Sequence, residues 1–83
     1  MKRYFCETED YNFVAYVDED GEAAVICDTT FKSGIPTLEA AKSEDYSGLD
    51  GCETADEVAH QTAGIEVFDW DVLMSETGNW TEF

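Results

Sequence analysis

Cys6, Cys27, Cys52 and His60 are the residues of this chain best suited to metal or nucleophilic chemistry. Thiolates and an imidazole are what zinc takes, but zinc modules hold their ligands in close pairs, and these four stand far apart. Cys27 falls in an apolar, strand-like run, where a thiol behaves as a small buried hydrophobe. Cys52 and His60 would make a nucleophile and its base only with a third group to orient them, and their spacing matches no such signature. Asp18-Glu19-Asp20-Gly21-Glu22 has the composition of a calcium loop. That loop places its glycine sixth, whereas Gly21 stands fourth from Asp18, so the register fails and a solvated hairpin turn is expected. No glycine-rich phosphate loop is present. These residues point to a non-enzyme that uses no metal and no cofactor.

The carboxylates are a different matter. The chain has 20 Asp and Glu against 4 Lys and Arg, a net charge of -16 in 83 residues. Such an excess normally drives a chain open by self-repulsion. Yet 43% of the residues are hydrophobic and 13% aromatic, enough to build a small core. A folded, densely negative particle satisfies both facts. An ordinary soluble surface mixes both signs, so solubility accounts for the acids but not for the missing cations. The acids group as Glu7, Glu9 and Asp10; Asp18, Glu19, Asp20 and Glu22; Glu44, Asp45 and Asp50; Glu53, Asp56 and Glu57; and Glu66, Asp69 and Asp71.

The elements that must position these groups can be read in part. Residues 2–6 and 11–17 read as strands, the second rich in aromatic and β-branched types. Tyr11, Phe13, Ala15 and Val17 share one face by period two, with Val14 and Tyr16 on the other, so both faces are expected to be partly covered. Residues 18–21 form a turn and residues 22–27 complete a hairpin. A short helix is expected over 38–42, either capped by Thr37 or with Pro36 in its first turn. Thr54-Ala55-Asp56-Glu57 is a capping box, and its helix runs to about Thr62 before Gly64. Residues 65–74 return to a strand pattern, with Phe68, Trp70, Val72 and Met74 on one face. On such a strand Asp69 and Asp71 would stand about 6.6 Å apart on the other face. The tail, residues 75–83, either frays or docks through Trp80 or Phe83. The expected fold is a single α+β domain over residues 1–83, a small sandwich. It has a mostly antiparallel sheet of three to four strands and one or two short helices on one face.

Met1-Lys2-Arg3 is not followed by a long apolar stretch, since Glu7 arrives at once, and no apolar run of about 18 residues exists. Three cysteines, an odd number without close pairs, suit reduced thiols better than a secreted framework. The expectation is a cytoplasmic protein with no membrane contact.

In size, acidity and absence of motif the chain resembles phage-encoded DNA-mimic inhibitors, including anti-restriction and anti-CRISPR proteins. The resemblance is one of composition and carries over no functional residue. It implies a basic nucleic-acid-binding protein as partner, and no direct binding of nucleic acid, which the negative surface would repel. The residues expected to meet that partner are Glu7, Glu9, Asp10, Asp18, Glu19, Asp20, Glu22, Glu66, Asp69, Trp70 and Asp71. Tyr11, Tyr46 and Trp80 are further aromatic anchors. Two other readings fit the same composition: an immunity- or antitoxin-like neutraliser of a basic enzyme, and a soluble domain from an acidic proteome.

Overall fold

In a computed structural model the chain is an α+β domain built on one antiparallel sheet. The structure describes residues 1–7, 12–26, 38–43, 51–61 and 65–83. The elements are β1 (Lys2–Glu7), β2 (Asn12–Val17), β3 (Glu22–Ile26), α1 (Leu38–Ser43), α2 (Ala55–Gln61), β4 (Glu66–Asp69), α3 (Trp70–Thr77) and β5 (Trp80–Glu82). The strand order is β4-β3-β2-β1-β5, so among the described residues the sheet has five strands rather than three or four. Among the described residues no helix is long and apolar enough to cross a membrane.

The β2–β3 hairpin is the centre of the sheet. Its turn closes with Asp18 N–H donating to the Glu22 carbonyl at 2.9 Å and Gly21 N–H donating to the Asp18 carbonyl at 3.3 Å. Gly21 has φ 82°, a backbone region where side chains with a Cβ are strained. The register then alternates the β2 side chains between two cores. Val14 and Tyr16 join Phe5, Ala24 and Ile26 on one side, where Ala55 and Val58 of α2 pack against them. Ala15 and Val17 join Ala23 on the other, where Trp70 of α3 packs. Ala15 and Ala23 are fully buried, and their small side chains leave room for the indole. Both faces of β2 are therefore covered, and the helices lie on both sides of the sheet instead of one.

Residues 65–74 are not one strand. β4 stops at Asp69, whose carboxylate accepts the Val72 N–H at 3.2 Å and so caps α3. The helix ends at Gly78, φ 65°, whose N–H donates to the Met74 carbonyl at 2.9 Å. The face expected for a strand is consequently dispersed. Trp70 is buried, while Phe68, Val72 and Met74 are exposed.

The tail docks. β5 pairs antiparallel with β1, Cys6 opposite Trp80 and Tyr4 opposite Glu82, and the Phe83 N–H donates to the Arg3 carbonyl at 3.0 Å. The Arg3 guanidinium lies over the Phe83 ring, 4.9 Å from its centroid, which adds a cation–π contact to that edge.

Candidate functional site

The acidic groups meet at the turn end of the β2–β3 hairpin, and three separate segments bring them there. The turn itself carries Asp18, Glu19 and Asp20, and β3 begins with Glu22. The capping box of α2 brings in Asp56. Glu57 N–H donates to the Thr54 hydroxyl oxygen at 3.2 Å, as the sequence pattern requires. The Glu57 carboxylate reaches one residue further back than a standard box, accepting from the Glu53 N–H at 3.0 Å. The third segment is the junction of β4 and α3. Asp69 lies opposite Glu22 in the register, and the Trp70 N–H donates to the Gly21 carbonyl at 2.8 Å.

Electrostatics make the convergence explicit. The Glu22 carboxyl is pushed above its ordinary value first by Asp56, then by partial desolvation, and further by Asp18, Asp20 and Asp69. One exposed acid thus feels carboxylates from the turn, from α2 and from β4 at once. Few cations offset them, although Lys2 lines the adjoining cleft. That cleft, about 950 Å³, has Tyr4, Val17 and Trp70 on its walls and Asp18, Glu19, Asp20 and Glu53 around it.

Asp18 stands apart from its neighbours because it is buried. One carboxylate oxygen, Oδ1, accepts from the N–H groups of Asp20 at 2.9 Å and Glu22 at 3.0 Å. The other, Oδ2, accepts from the Ala55 N–H at 2.8 Å. Burial alone would raise its pKa, but the amides of Ala55, Glu22, Asp20 and Gly21 outweigh it and hold the carboxyl below its ordinary value. Asp18 is thus an ionised structural group, buried where Glu19 and Asp20 are exposed.

The other expected contact residues are distributed as follows. Glu19, Asp20, Glu22 and Asp69 belong to the acidic end and are exposed, Gly21 carrying the turn between them. Asp71 is exposed in the first turn of α3, on a helix beside that end and not in a strand array with Asp69. Glu66 is exposed on β4 opposite Val25, further along the strand. Glu7 pairs with Asn12, at the far end of β1 and β2 from the turn. Glu9 and Asp10 lie outside the described residues, as do Tyr11, Tyr46 and Cys27. Trp70 is 8% exposed and belongs to the core. Its ring is 4.7 Å from Tyr4 and 5.2 Å from Trp80, centroid to centroid. Glu53 and Asp56 were not among the expected contacts but do belong to this end. The capping box marks Asp56 as a first-turn acid, with Glu53 just before the cap, yet nothing in the sequence reveals where that turn docks.

Cys52 and His60 line a second hollow, about 460 Å³, with Asp56 and Glu57. Among the described residues no group of three His, Cys, Asp or Glu is placed to hold a metal ion. Cys6 and Cys52 are thiols, and burial pushes the Cys6 thiol up. No family model matches the chain, and no match was found among curated proteins or solved structures.

Proposed function

We propose that the chain is a non-catalytic cytoplasmic inhibitor whose acidic hairpin end occupies the basic, nucleic-acid-binding groove of a partner protein. The observation that carries this reading is the convergence of carboxylates from three segments around Glu22: the turn, the first turn of α2, and Asp69 opposite it in the register. Like charges are not gathered this way without cost, and a cationic surface is what would relieve it. The scale is also suitable. The domain measures 30 × 29 × 21 Å and carries a net charge of -16. A 30 Å length of duplex DNA carries about 18 phosphates. Long-range attraction would steer the acidic end towards Lys- and Arg-lined surface, and the sheet would hold its charges without further ordering. The anti-restriction and anti-CRISPR type of inhibitor is the class this reading belongs to.

The experiment is capture of cell proteins on the immobilised chain, followed by elution with duplex DNA or RNA. A retained protein that nucleic acid displaces, and that also leaves steeply as salt rises, supports the reading. A protein retained through the acidic end but indifferent to nucleic acid would refute mimicry and assign an immunity-like neutraliser.

A further inference from the structure

We infer that Asp18 is the positioning residue of the acidic end, a clasp between hairpin and α2 that protonation opens on the helix side first. The asymmetry of its hydrogen bonds carries this. Among the described residues, Oδ1 accepts two hairpin amides, from Asp20 and Glu22, whereas Oδ2 accepts the Ala55 amide alone. Ala55 is the first residue of α2, fully buried, and its N–H is one of the amides that no helical carbonyl can satisfy. The Thr54 hydroxyl serves Glu57, and the Thr54 carbonyl serves Val58, so neither meets the Ala55 N–H. A proton arriving at Asp18 settles on the oxygen with fewer donors. That is Oδ2, whose new O–H is a donor beside the Ala55 N–H and leaves it only the weaker, remaining acceptor capacity of a neutral oxygen. The link to α2 is weakened most, while the hairpin bonds to Oδ1 persist.

The surrounding charges set the order of events. The hairpin contributes Glu19, Asp20 and Glu22, and the N-terminal end of α2 contributes Glu53 and Asp56. Lys2 of β1 lines the same cleft, and Asp69 at the end of β4 acts on the same cluster. Glu22, whose charge its neighbours repel, takes its proton before Asp18, whose carboxylate the amides hold ionised. That proton removes repulsion from Asp18, so the clasp outlasts the discharge of Glu22 beside it. Resting on the function proposed above, this means that acid weakens the hold on a cationic partner while the fold is still intact.

The clasp can be tested in the uncomplexed protein, without any partner. An NMR pH titration should show the Ala55 amide shift moving only at a midpoint below that of the Glu22 side chain. The Asp20 and Glu22 amides should change less at that step. In Asp18→Asn the amide oxygen keeps the hairpin bonds, but its NH2 faces the Ala55 N–H. The Ala55 amide should then exchange with solvent about tenfold faster or more, and its low-pH step should vanish. The inference is overturned if the Ala55 amide follows the Glu22 midpoint, or if D18N leaves its exchange unchanged. Should D18N fail to fold, the titration of the unaltered chain decides alone. Capture and elution of a partner play no part in these readings, so the clasp and the proposed function stand or fall separately.

Discussion

Trp70 joins the helix on one face of the sheet to the strands beneath it, and replacing it is the most direct probe of that core. The residue is 8% exposed and contacts the rings of Tyr4 and Trp80. An aromatic side chain buries roughly 150–250 Å², worth about 4–6 kcal/mol at ~25 cal/mol per Å². Truncation to Ala in comparable cores costs about 3–5 kcal/mol, because the cavity collapses only partly. A domain of 83 residues has a total stability of about 4–12 kcal/mol. Trp70→Ala should therefore remove about a quarter or more of the stability, up to all of it. Trp70→Phe keeps a ring above Ala15 and Ala23 and should cost less. Urea denaturation followed by far-ultraviolet circular dichroism reads both, since fluorescence would be altered by the substitution itself. A loss below about 1 kcal/mol for Trp70→Ala would place the indole outside the core and refute the packing described here.

Three other expectations follow from the acidic end. Thr54→Ala removes the hydroxyl that accepts the Glu57 amide and should cost about 1 kcal/mol in thermal or urea unfolding; no measurable loss would mean that the cap is unformed. Stability should vary with pH in two opposed steps. Glu22 has a pKa raised above the ordinary 4.5 when folded, so repulsion is relieved and stability gained as pH falls through that raised value. Asp18 is held below the ordinary 3.8, so its contribution is complete above that value and is lost as pH falls through the lowered one. The melting temperature should thus rise on mild acidification and fall again in stronger acid. Added salt near neutral pH should also raise it, because the Debye length shortens to about 10 Å at 0.1 M. A melting temperature that falls with modest salt would contradict the crowding of charge.

Much of the sheet is legible in the sequence because its signals are local. The alternation in β2 places Ala15 and Val17 opposite Val14 and Tyr16, and Gly21 marks the turn. The capping box at Thr54 places the start of α2. The junction at Asp69 misleads because Phe68, Trp70, Val72 and Met74 alternate as a strand would. The competing signals were an Asp at a helix start and a Gly nine residues later, with Trp70 and Leu73 three apart on the buried side. Capture of the Val72 amide by Asp69 outweighs a propensity for β structure. That change of path carries the chain across to β5, and so widens the sheet by an edge strand. The site is less legible than the fold. The acids of the turn are adjacent in sequence, but Glu53, Asp56 and Asp69 reach them only through tertiary packing. Asp18 looked like one acid among several, and only the placement of Ala55 shows it to be a buried clasp.

The central claim is that the location of the carboxylates, beyond their number, fits this protein to a nucleic-acid groove. Once a captured partner is in hand, displacement of labelled nucleic acid from it by three forms of the chain tests this most directly. These are the unaltered chain, D20N/E22Q/D56N at the hairpin end, and E7Q/E76Q/E82Q, which removes equal charge from β1, α3 and β5. The account predicts that the first triple variant loses displacement while the second keeps nearly all of it. Equal loss in both, or none in the first, would contradict it.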